Sequence, residues 1–531
     1  MPEPILAAKS TWFAPNVSSI KRPNITEIDI KDSYTPDSSV TVTANWDASA
    51  AKDGSVTCYV IGTKLIIAGN GSGKVYLNNE NGSSCFCDFS SPFSSLKQIN
   101  GMQFLDTSKT NRLDYMFCLC SSLEEVDVSH FNTTNVSNFT SMFTSCSSLK
   151  KIDLSKWDMS NATSTSSMLS SCDALAEIDI SSFINGDKMD MNYMFAVNSA
   201  VQRTIKFPDT GLKLASDCTC MFLNNNMSTI DVSNFDTSKV TIMKAMFQEC
   251  ISMQNLDFSN WDTSSCTDMS AMFYGCTSLG EIDVSNWDTS KVTTLDHFAA
   301  HANLKRKGIG NWNTSSLVNA NAAFHNCAEE ELDLSGWDVS KVQFFCQMFE
   351  NSPNLKRIKG LNKWNTSAGL GFDGMFERCS KLEEVDLSSF NTTKAKNGVS
   401  ASTNGHKTAT LNNMFLSCNN LEKVTVGANF SVNGDGTNTT AANKAILPTP
   451  SATYIPGADG NWYTFNGDQY APNAMKDRTA ATYYASRTAV YDADVIVKNG
   501  SLIDTAKAIR EKNGTTAQYT PSEFGAAIRA L

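Results

Sequence analysis

Residues Met272 to Leu295 read MFYGCTSLGEIDVSNWDTSKVTTL, and variants of this stretch recur along the middle of the chain. The phenylalanine of its Met-Phe pair, or an equivalent residue, returns at Phe117, Phe143, Leu169, Phe195, Phe222, Phe247, Phe273, Phe298, Phe324, Phe349, Phe376 and Phe415. Ten of the eleven intervals measure 25 to 27 residues. A period of that size indicates coils that each bury an apolar face against their neighbours. We therefore expect an α/β repeat solenoid of about twelve repeats of about 26 residues.

Two local patterns fill each repeat. Leu279, Ile282 and Val284 are spaced like the short strand of a leucine-rich repeat, with Asp283 pointing outward between the last two. Residues 240–247 place apolar side chains at i, i+3, i+6 and i+7, which predicts a short helix. Between strand and helix lies the sequence W-D-T-S, whose oxygens can accept from free amides and turn the chain.

An aromatic residue precedes that turn in most repeats. The set comprises Phe131, Trp157, Phe183, Phe235, Trp261, Trp287, Trp312, Trp337, Trp364 and Phe390. We expect these rings to stack in the core as one spine, although an exposed platform for stacking sugars is the alternative. A column of methionines is expected to fill the core between coils.

Cysteines occupy one column of the repeat, three residues after the phenylalanine. They are Cys120, Cys146, Cys172, Cys250, Cys276, Cys327, Cys379 and Cys418. The leucine-rich consensus places Asn or Cys at one such position, so we expect a ladder of reduced structural thiols. Disulfides between adjacent coils and metal binding are the alternatives, but no CxxC pair supports zinc.

A column of carboxylates occupies the outward position of the strand. It comprises Asp127, Asp153, Asp179, Asp231, Asp257, Asp283, Asp333 and Asp386. Two carboxylates about 5 Å apart repel by roughly 0.8 kcal/mol in water, so the stack needs relief from hydroxyls, lysines or a cation. One interpretation is structural, with the carboxylates bonded to neighbouring groups or solvated. The other is an acidic strip that binds sugar hydroxyls, cationic groups or calcium.

Enzymatic motifs are missing from the sequence. The five histidines are His130, His297, His301, His325 and His406. His297 and His301 lie four apart on the predicted helical stretch, so a metal site with His325 is conceivable. We expect instead that they are polar substitutions in degenerate repeats. No P-loop, G-x-S-x-G, H-E-x-x-H or dinucleotide motif occurs, and we predict neither enzymatic activity nor a cofactor.

The two ends of the chain differ from the repeats. Residues 1–97 show β-type alternation, as in residues 40–43 and 64–67, and are predicted to form a β-rich cap or docking domain. The solenoid is assigned to residues 98–430, and residues 431–490 form an irregular C-terminal cap and linker. Residues 491–531 are predicted to form a helical hairpin, with a capping box at Thr520-Pro521-Ser522-Glu523. The hairpin is too small to fold alone, so it must pack on its own chain or a partner.

The unit MFxxCxSLxxIDLSxWDTSxVTxM resembles the repeat of BspA-like leucine-rich bacterial surface proteins and covers about 60% of the chain. That resemblance implies a right-handed coil and a role as an adhesin or interaction protein. Flanking passages such as WDASAAKDGSVTCYV look like segments that accompany this repeat in proteins of gut bacteria and their phages. The C-terminal AIREKNG and YTPSEFGAAIR are similar to a module at the ends of phage tail and minor structural proteins.

Charge and the chain ends set the functional expectation. The net charge is −11 without a basic run, so we expect neither nucleic acid nor membrane insertion among the partners. Neither an export signal nor a wall anchor is evident, which favours a non-enzymatic phage virion protein, tail-associated or particle-decorating, that attaches to the host surface. The alternative is an exported bacterial cell-surface adhesin. Expected partners are a host cell-surface glycan or protein, other virion proteins, and further copies in a homo-oligomer.

Overall fold

The structure is a computed structural model that describes residues 2–487 apart from residues 16, 79–81, 182, 186–188, 199, 303, 397–410 and 437–443. Its strands are β1 (Glu27–Lys31), β2 (Ala44–Asp47), β3 (Thr57–Ile61), β4 (Lys64–Ala68), β5 (Val75–Asn78), β6 (Gln98–Asn100), β7 (Leu105–Lys109), β8 (Lys151–Asp153), β9 (Asp158–Met159), β10 (Glu177–Asp179), β11 (Ile184–Asn185), β12 (Thr204–Lys206), β13 (Glu281–Asp283), β14 (Lys305–Lys307), β15 (Glu331–Asp333), β16 (Arg357–Lys359), β17 (Glu384–Leu387), β18 (Lys423–Val426), β19 (Trp462–Thr464), β20 (Gln469–Tyr470) and β21 (Ala481–Tyr484). Short 3-10 helices lie at Lys9–Trp12, Arg22–Asn24, Met102–Phe104, Ile309–Asn311 and Leu361–Lys363. The predicted C-terminal hairpin and His406 lie outside the described residues.

A repeat fold is confirmed by the way successive coils pair in parallel and in register. Strand β10 pairs with both β8 and β12. In the same manner β13 pairs with β14, and β15 pairs with β16. A second line of parallel bridges joins the coils on another side, from Arg112 to Asp190 and from Asp217 to Gly371. The alternation within each strand directs Ile152, Ile178 and Ile282 into the core.

The phenylalanine column forms one row through the core. Phe117 and Phe143 stack with ring centroids 5.2 Å apart, and Phe247 and Phe273 stack at 5.8 Å. The row begins at Phe86, which stacks on Phe117 at 5.4 Å. The aromatic corner is also buried: the Trp261, Trp287 and Trp312 rings stack at 6.4 and 5.9 Å. Their burial excludes the exposed sugar platform at this corner.

The predicted helix of each repeat is wrong, because the described residues between 98 and 430 contain no α-helix. The segment is instead a run of consecutive turns with a left-handed residue at every fourth position, such as Ser141 (φ 55) and Ser145 (φ 62). The amides of Ser141, Phe143 and Ser145 donate to the next coil at 2.8–2.9 Å, and the amides between them close turns within the coil. Consecutive turns also direct residues i and i+3 inward, so the apolar period could not distinguish them from a helix. We call the outer surface of these turns the turn face.

The register assigned to Phe298 is also wrong by one residue. The amide of Phe247 donates to the carbonyl of Met272, and the amide of Phe273 donates to that of Phe298. Phe298 therefore takes the methionine position of its coil, and Ala299 takes the phenylalanine position. The Phe273 and Phe298 rings accordingly meet edge to face at 85° instead of stacking. The sequence HFAA lacks the Met-Phe pair, so the aromatic residue was aligned to the wrong column.

Both ends of the strand ladder are closed by antiparallel strands. At the N-terminal end the sheet order is β2-β3-β4-β1-β6, and β1 pairs in parallel with both β4 and β6. At the C-terminal end β18 pairs with β17 in parallel and with β21 in antiparallel orientation. Residues 64–67 lie in a strand as predicted, whereas residues 40–43 precede β2. Such ends cover coils that would otherwise expose apolar surface.

Candidate functional site: the outer face of the strand ladder

The eight aspartates of the predicted strip lie on the solvent side of the strand ladder. Their columns are continuous, since Asp153 pairs in register with Asp179, and Asp179 with Lys206. Further along, Asp283 faces Lys307 and Asp333 faces Lys359. We call this surface the sheet face. It presents one outward side chain per coil from each of two columns.

Each ladder aspartate has a local structural bond. Its Oδ1 accepts the backbone amide two residues later at 2.9–3.0 Å. The donors are Ser129, Ser155, Ser181, Ser233, Ser259, Ser285, Ser335 and Ser388. This Asx turn ends the strand and directs the chain toward the aromatic corner. One carboxylate oxygen is thus committed to the fold, and the other is left for contacts outside the coil.

The serine donors also stabilise the ionised form of several aspartates. Hydrogen bonds from the Ser129 hydroxyl and amide lower the pKa of Asp127, and those of Ser181 and Ser233 lower the pKa of Asp179 and Asp231 in the same way. At Asp283 the Lys307 ammonium, 2.6 Å away, is the largest cause of a lowered pKa. These carboxylates therefore remain ionised at neutral pH.

Counter-charges are distributed unevenly along the sheet face. The second outward column lies two residues before the aspartates, and in the C-terminal coils it alternates in sign, with Glu281 beside Lys305 and Glu331 beside Arg357. Arg357 contacts Glu331 at 3.3 Å and Glu383 of the following coil at 2.7 Å. In the middle coils Asp231 and Asp257 are neighbours in register, next to the uncharged pair Thr229 and Asn255. Neither aspartate forms an ion pair within the part of the chain that the structure describes. The middle of the face is therefore acidic, whereas the C-terminal part is internally neutralised.

A groove of about 900 Å³ lies on the sheet face over the first coils. Its charged lining comprises Glu125, Asp127, Lys151, Asp153, Lys156, Glu177, Asp179 and Lys206. In one column Glu125, Lys151 and Glu177 alternate in charge at the spacing of adjacent strands, about 4.8 Å, while in the other Asp127, Asp153 and Asp179 are consecutive carboxylates followed by Lys206. A surface of this kind can offer donors and acceptors to a polar polymer that lies across several coils.

The cysteine column lies inside the fold, at the end of each turn segment and ahead of the strand. All sixteen cysteines are buried free thiols. Seven of the eight predicted ladder thiols donate to the carbonyl of the preceding coil's phenylalanine position, at 2.9–3.7 Å. Ser352 donates to the corresponding carbonyl of Phe324 at 3.1 Å, and the amide of Cys327 donates to the Ser352 hydroxyl. Burial raises the pKa of Cys172 and Cys250 to about 12, which makes these thiols unreactive.

Sequence reasoning missed a buried ion pair. Arg306 stands in register with Ile282, at a core position, and its guanidinium contacts the Glu329 carboxylate at 2.6 and 3.2 Å. The same guanidinium lies 5.1 Å from the centroid of the Phe324 ring. Since Ala299 leaves the phenylalanine position of this coil nearly empty, the arginine side chain has room inside. The sequence signal for this ion pair was the presence of Ala299 and Arg306 at two positions of one repeat that are usually filled by larger apolar residues.

Among the described residues, no three His, Cys, Asp or Glu side chains are arranged to hold a metal ion. No helix within those residues has the length and hydropathy needed to cross a bilayer.

The repeat region matches a known sequence family. The family model described as "Mycoplasma protein of unknown function, DUF285" matches residues 87–207, 216–335 and 319–429. The chain belongs to this family. None of the curated proteins matches this chain. Among solved structures, it is similar to a leucine-rich cell surface protein from Faecalibacterium prausnitzii A2-165, with 12% identity, 78% of this chain and 85% of that chain covered, and a TM-score of 0.33. A leucine-rich repeat protein from Eubacterium ventriosum ATCC 27560 is similar with 12% identity, 72% and 85% coverage, and a TM-score of 0.33.

Proposed function

We propose that the protein is a non-enzymatic bacterial cell-surface adhesin, the alternative role considered from the sequence. Its coils would form a right-handed solenoid of about twelve repeats that displays the sheet face to a host glycan or protein. The observation that carries the proposal is the groove over the first coils, where charged side chains face outward on a rigid ladder. The virion role rested on the missing export signal and wall anchor and on the resemblance of the C-terminal segment, residues 491–531, to phage tail proteins; that segment lies outside the described residues, and no comparison supports the virion role.

The sheet face is chosen as the binding surface because the two carboxylate oxygens of each ladder aspartate have different roles. Because Oδ1 holds the turn, the carboxylate is fixed in position before any ligand arrives, and its second oxygen takes no part in that turn. A ligand that spans several coils would meet equivalent groups at each step. Binding of this kind gains from repetition, since each weak contact adds to the same complex.

A charge-removing variant tests the binding role. Asparagine keeps the Asx turn, as Asn313 and Asn365 do when they accept from the amides two residues later. Asp153→Asn with Asp179→Asn should therefore fold normally and lose binding at the groove. The matched control is Asp262→Asn, which changes an Asx residue at the aromatic corner, outside the sheet face.

Attachment of the purified variants to host epithelial cells and to arrayed host glycans gives the readout. We expect the groove variant to bind at least about tenfold less, which corresponds to 1.4 kcal/mol, and the control to bind like the natural protein. Equal binding by a folded groove variant would reject the sheet face as the binding surface. Immunogold labelling of intact producing cells, compared with mass spectrometry of purified phage particles, separates the cell surface from the virion.

A further inference from the structure

Three histidines meet on the turn face. His297 and His301 occupy the two left-handed positions of one coil, with φ of 56° and 58°, and His325 lies in the next coil. The ring centroids of His301 and His325 are 4.4 Å apart. His325 is only 9% exposed, and its Nδ1 has no hydrogen-bond partner. The His301 ring therefore covers a buried imidazole that has no carboxylate to stabilise a proton.

The groups around this pair come from five coils. Glu249 and Tyr274 lie on the preceding coils, and the Tyr274 ring centroid is 5.1 Å from that of His301. The Asp296 carboxylate accepts a hydrogen bond from His297 Nδ1 at 2.9 Å. Beyond His325 follow Glu350, Glu377 and Arg378, and the Arg378 guanidinium contacts Glu350 at 3.5 Å. The carboxylates of Asp296 and Glu350 are thus engaged by other partners, and the Arg378 guanidinium adds positive charge, whereas the Glu249 carboxylate favours a proton on His301.

These surroundings oppose protonation. Burial, followed by the positive charge of His301, lowers the pKa of His325 to about 4, and burial also lowers the pKa of His301. A depressed pKa contributes stability that is present above the unfolded value near 6.5 and is lost as the pH falls through about 4. The local opening constant should therefore be about 30-fold larger at pH 5 than at pH 7.5.

Two neighbouring carboxyls act in the opposite direction. Burial and the charge of Glu377 raise the pKa of Asp373 to about 7, and burial raises the pKa of Glu350. A raised pKa contributes stability that is present at low pH and is lost as the pH rises through about 7. Because the two effects have opposite signs, the histidine effect must be measured locally or with Asp373 replaced.

We propose that the His301–His325 pair is an acid-sensitive switch in the turn face, whose protonation separates the two contacting rings and loosens the two coils that carry them. The device is independent of the sheet face, and therefore independent of the proposed adhesin role.

NMR titration of the ¹³C-labelled histidines in the full chain tests the switch. His301→Asn is the matched variant, because Asn326 and Asn351 hold the same left-handed position in later coils, with φ of 57° and 54°. His325→Gln is the second, because Gln248 takes the same position beside Phe247. The exposed His130 ring serves as the reference signal. We expect His325 to titrate near pH 4 in the natural chain and closer to 6.5 in His301→Asn.

Hydrogen exchange supplies a readout that does not depend on resonance assignment. In an Asp373→Asn background, exchange in the two coils, corrected for intrinsic rates, should accelerate about 30-fold from pH 7.5 to pH 5. His325→Gln should reduce that acceleration to less than about threefold. A His325 midpoint at or above 6.5, an unchanged midpoint in His301→Asn, or equal acceleration in His325→Gln would each overturn the proposal.

Discussion

The buried pair of Arg306 and Glu329 permits a sharp test of how this repeat tolerates charge in its core. The Arg306 side chain is fully buried, and that of Glu329 is 13% exposed. Glu329 also accepts the backbone amide of Arg306 at 3.1 Å, so its carboxylate neutralises a charge and satisfies an amide. Nη1 of Arg306 has no partner. Removal of the carboxylate charge leaves a guanidinium buried against Phe324 and near the Cys327 thiol.

The expected costs follow from that geometry. Glu329→Gln should reduce the free energy of unfolding by about 3 kcal/mol, since one buried charge loses its partner. Arg306→Ile with Glu329→Gln should return to within about 1 kcal/mol of the natural protein, because isoleucine is the residue at the same position of the preceding coil. The coupling energy of the double-mutant cycle should then be about 2 kcal/mol or more.

Urea unfolding followed by tryptophan fluorescence measures these values, and an unchanged m-value shows that the same surface unfolds in each variant. The control is Glu330→Gln, which breaks an exposed contact of 2.7 Å with Lys356 and should cost less than about 1 kcal/mol. If Glu329→Gln costs no more than Glu330→Gln, the reasoning about buried charge in this coil is refuted.

Three further changes test the repeat itself. Phe247→Ala should cost about 3–5 kcal/mol in urea unfolding, because it removes a ring stacked on both sides, whereas Phe247→Leu should cost less than about 1.5 kcal/mol. Cys276→Ser should change the free energy of unfolding by less than about 1 kcal/mol, because Ser352 shows that a hydroxyl can make the same bond at this position. Thiol reagents should label the protein only after denaturation, and rapid labelling of the folded chain would contradict the buried ladder. Gly275→Ala should lower the urea midpoint by the equivalent of about 1 kcal/mol, because Gly275 has a φ of +72° and the new Cβ would meet the Glu249 side chain. An unchanged midpoint would show that an alanine at this left-handed position carries no strain.

The sequence was sufficient to predict which columns of the repeat are buried. Phe143 and Phe247 recur at a fixed interval, and a residue type that returns once per coil must meet its own kind in the next coil. The same argument placed the aspartates outward, since Asp283 stands between two inward residues of a strand. It could not say what the aspartates bond, because an Asx turn and a ligand contact need the same residue type.

The wrongly predicted helix and the misassigned register of Phe298 show what the sequence pattern could not predict. Apolar spacing reports which side chains point inward, but it carries no information on the partner of each amide. In the turn segments alternate amides donate to another coil, a choice visible only when the atoms of both coils are placed. At residues 298–299 the pair reads Phe-Ala, so the aromatic residue stands in the methionine column, and this displaced the alignment by one residue.

By itself, therefore, the sequence determined the repeat period, the strand, and the chemical type of each buried and exposed column, because those depend on one coil and its copies. Only the tertiary structure decided the consecutive turns, the Arg306–Glu329 pair, the groove and the contact of His301 with His325. Each of these depends on atoms more than twenty residues apart in the chain coming within a few ångströms, and stacking of neighbouring coils is what brings them together.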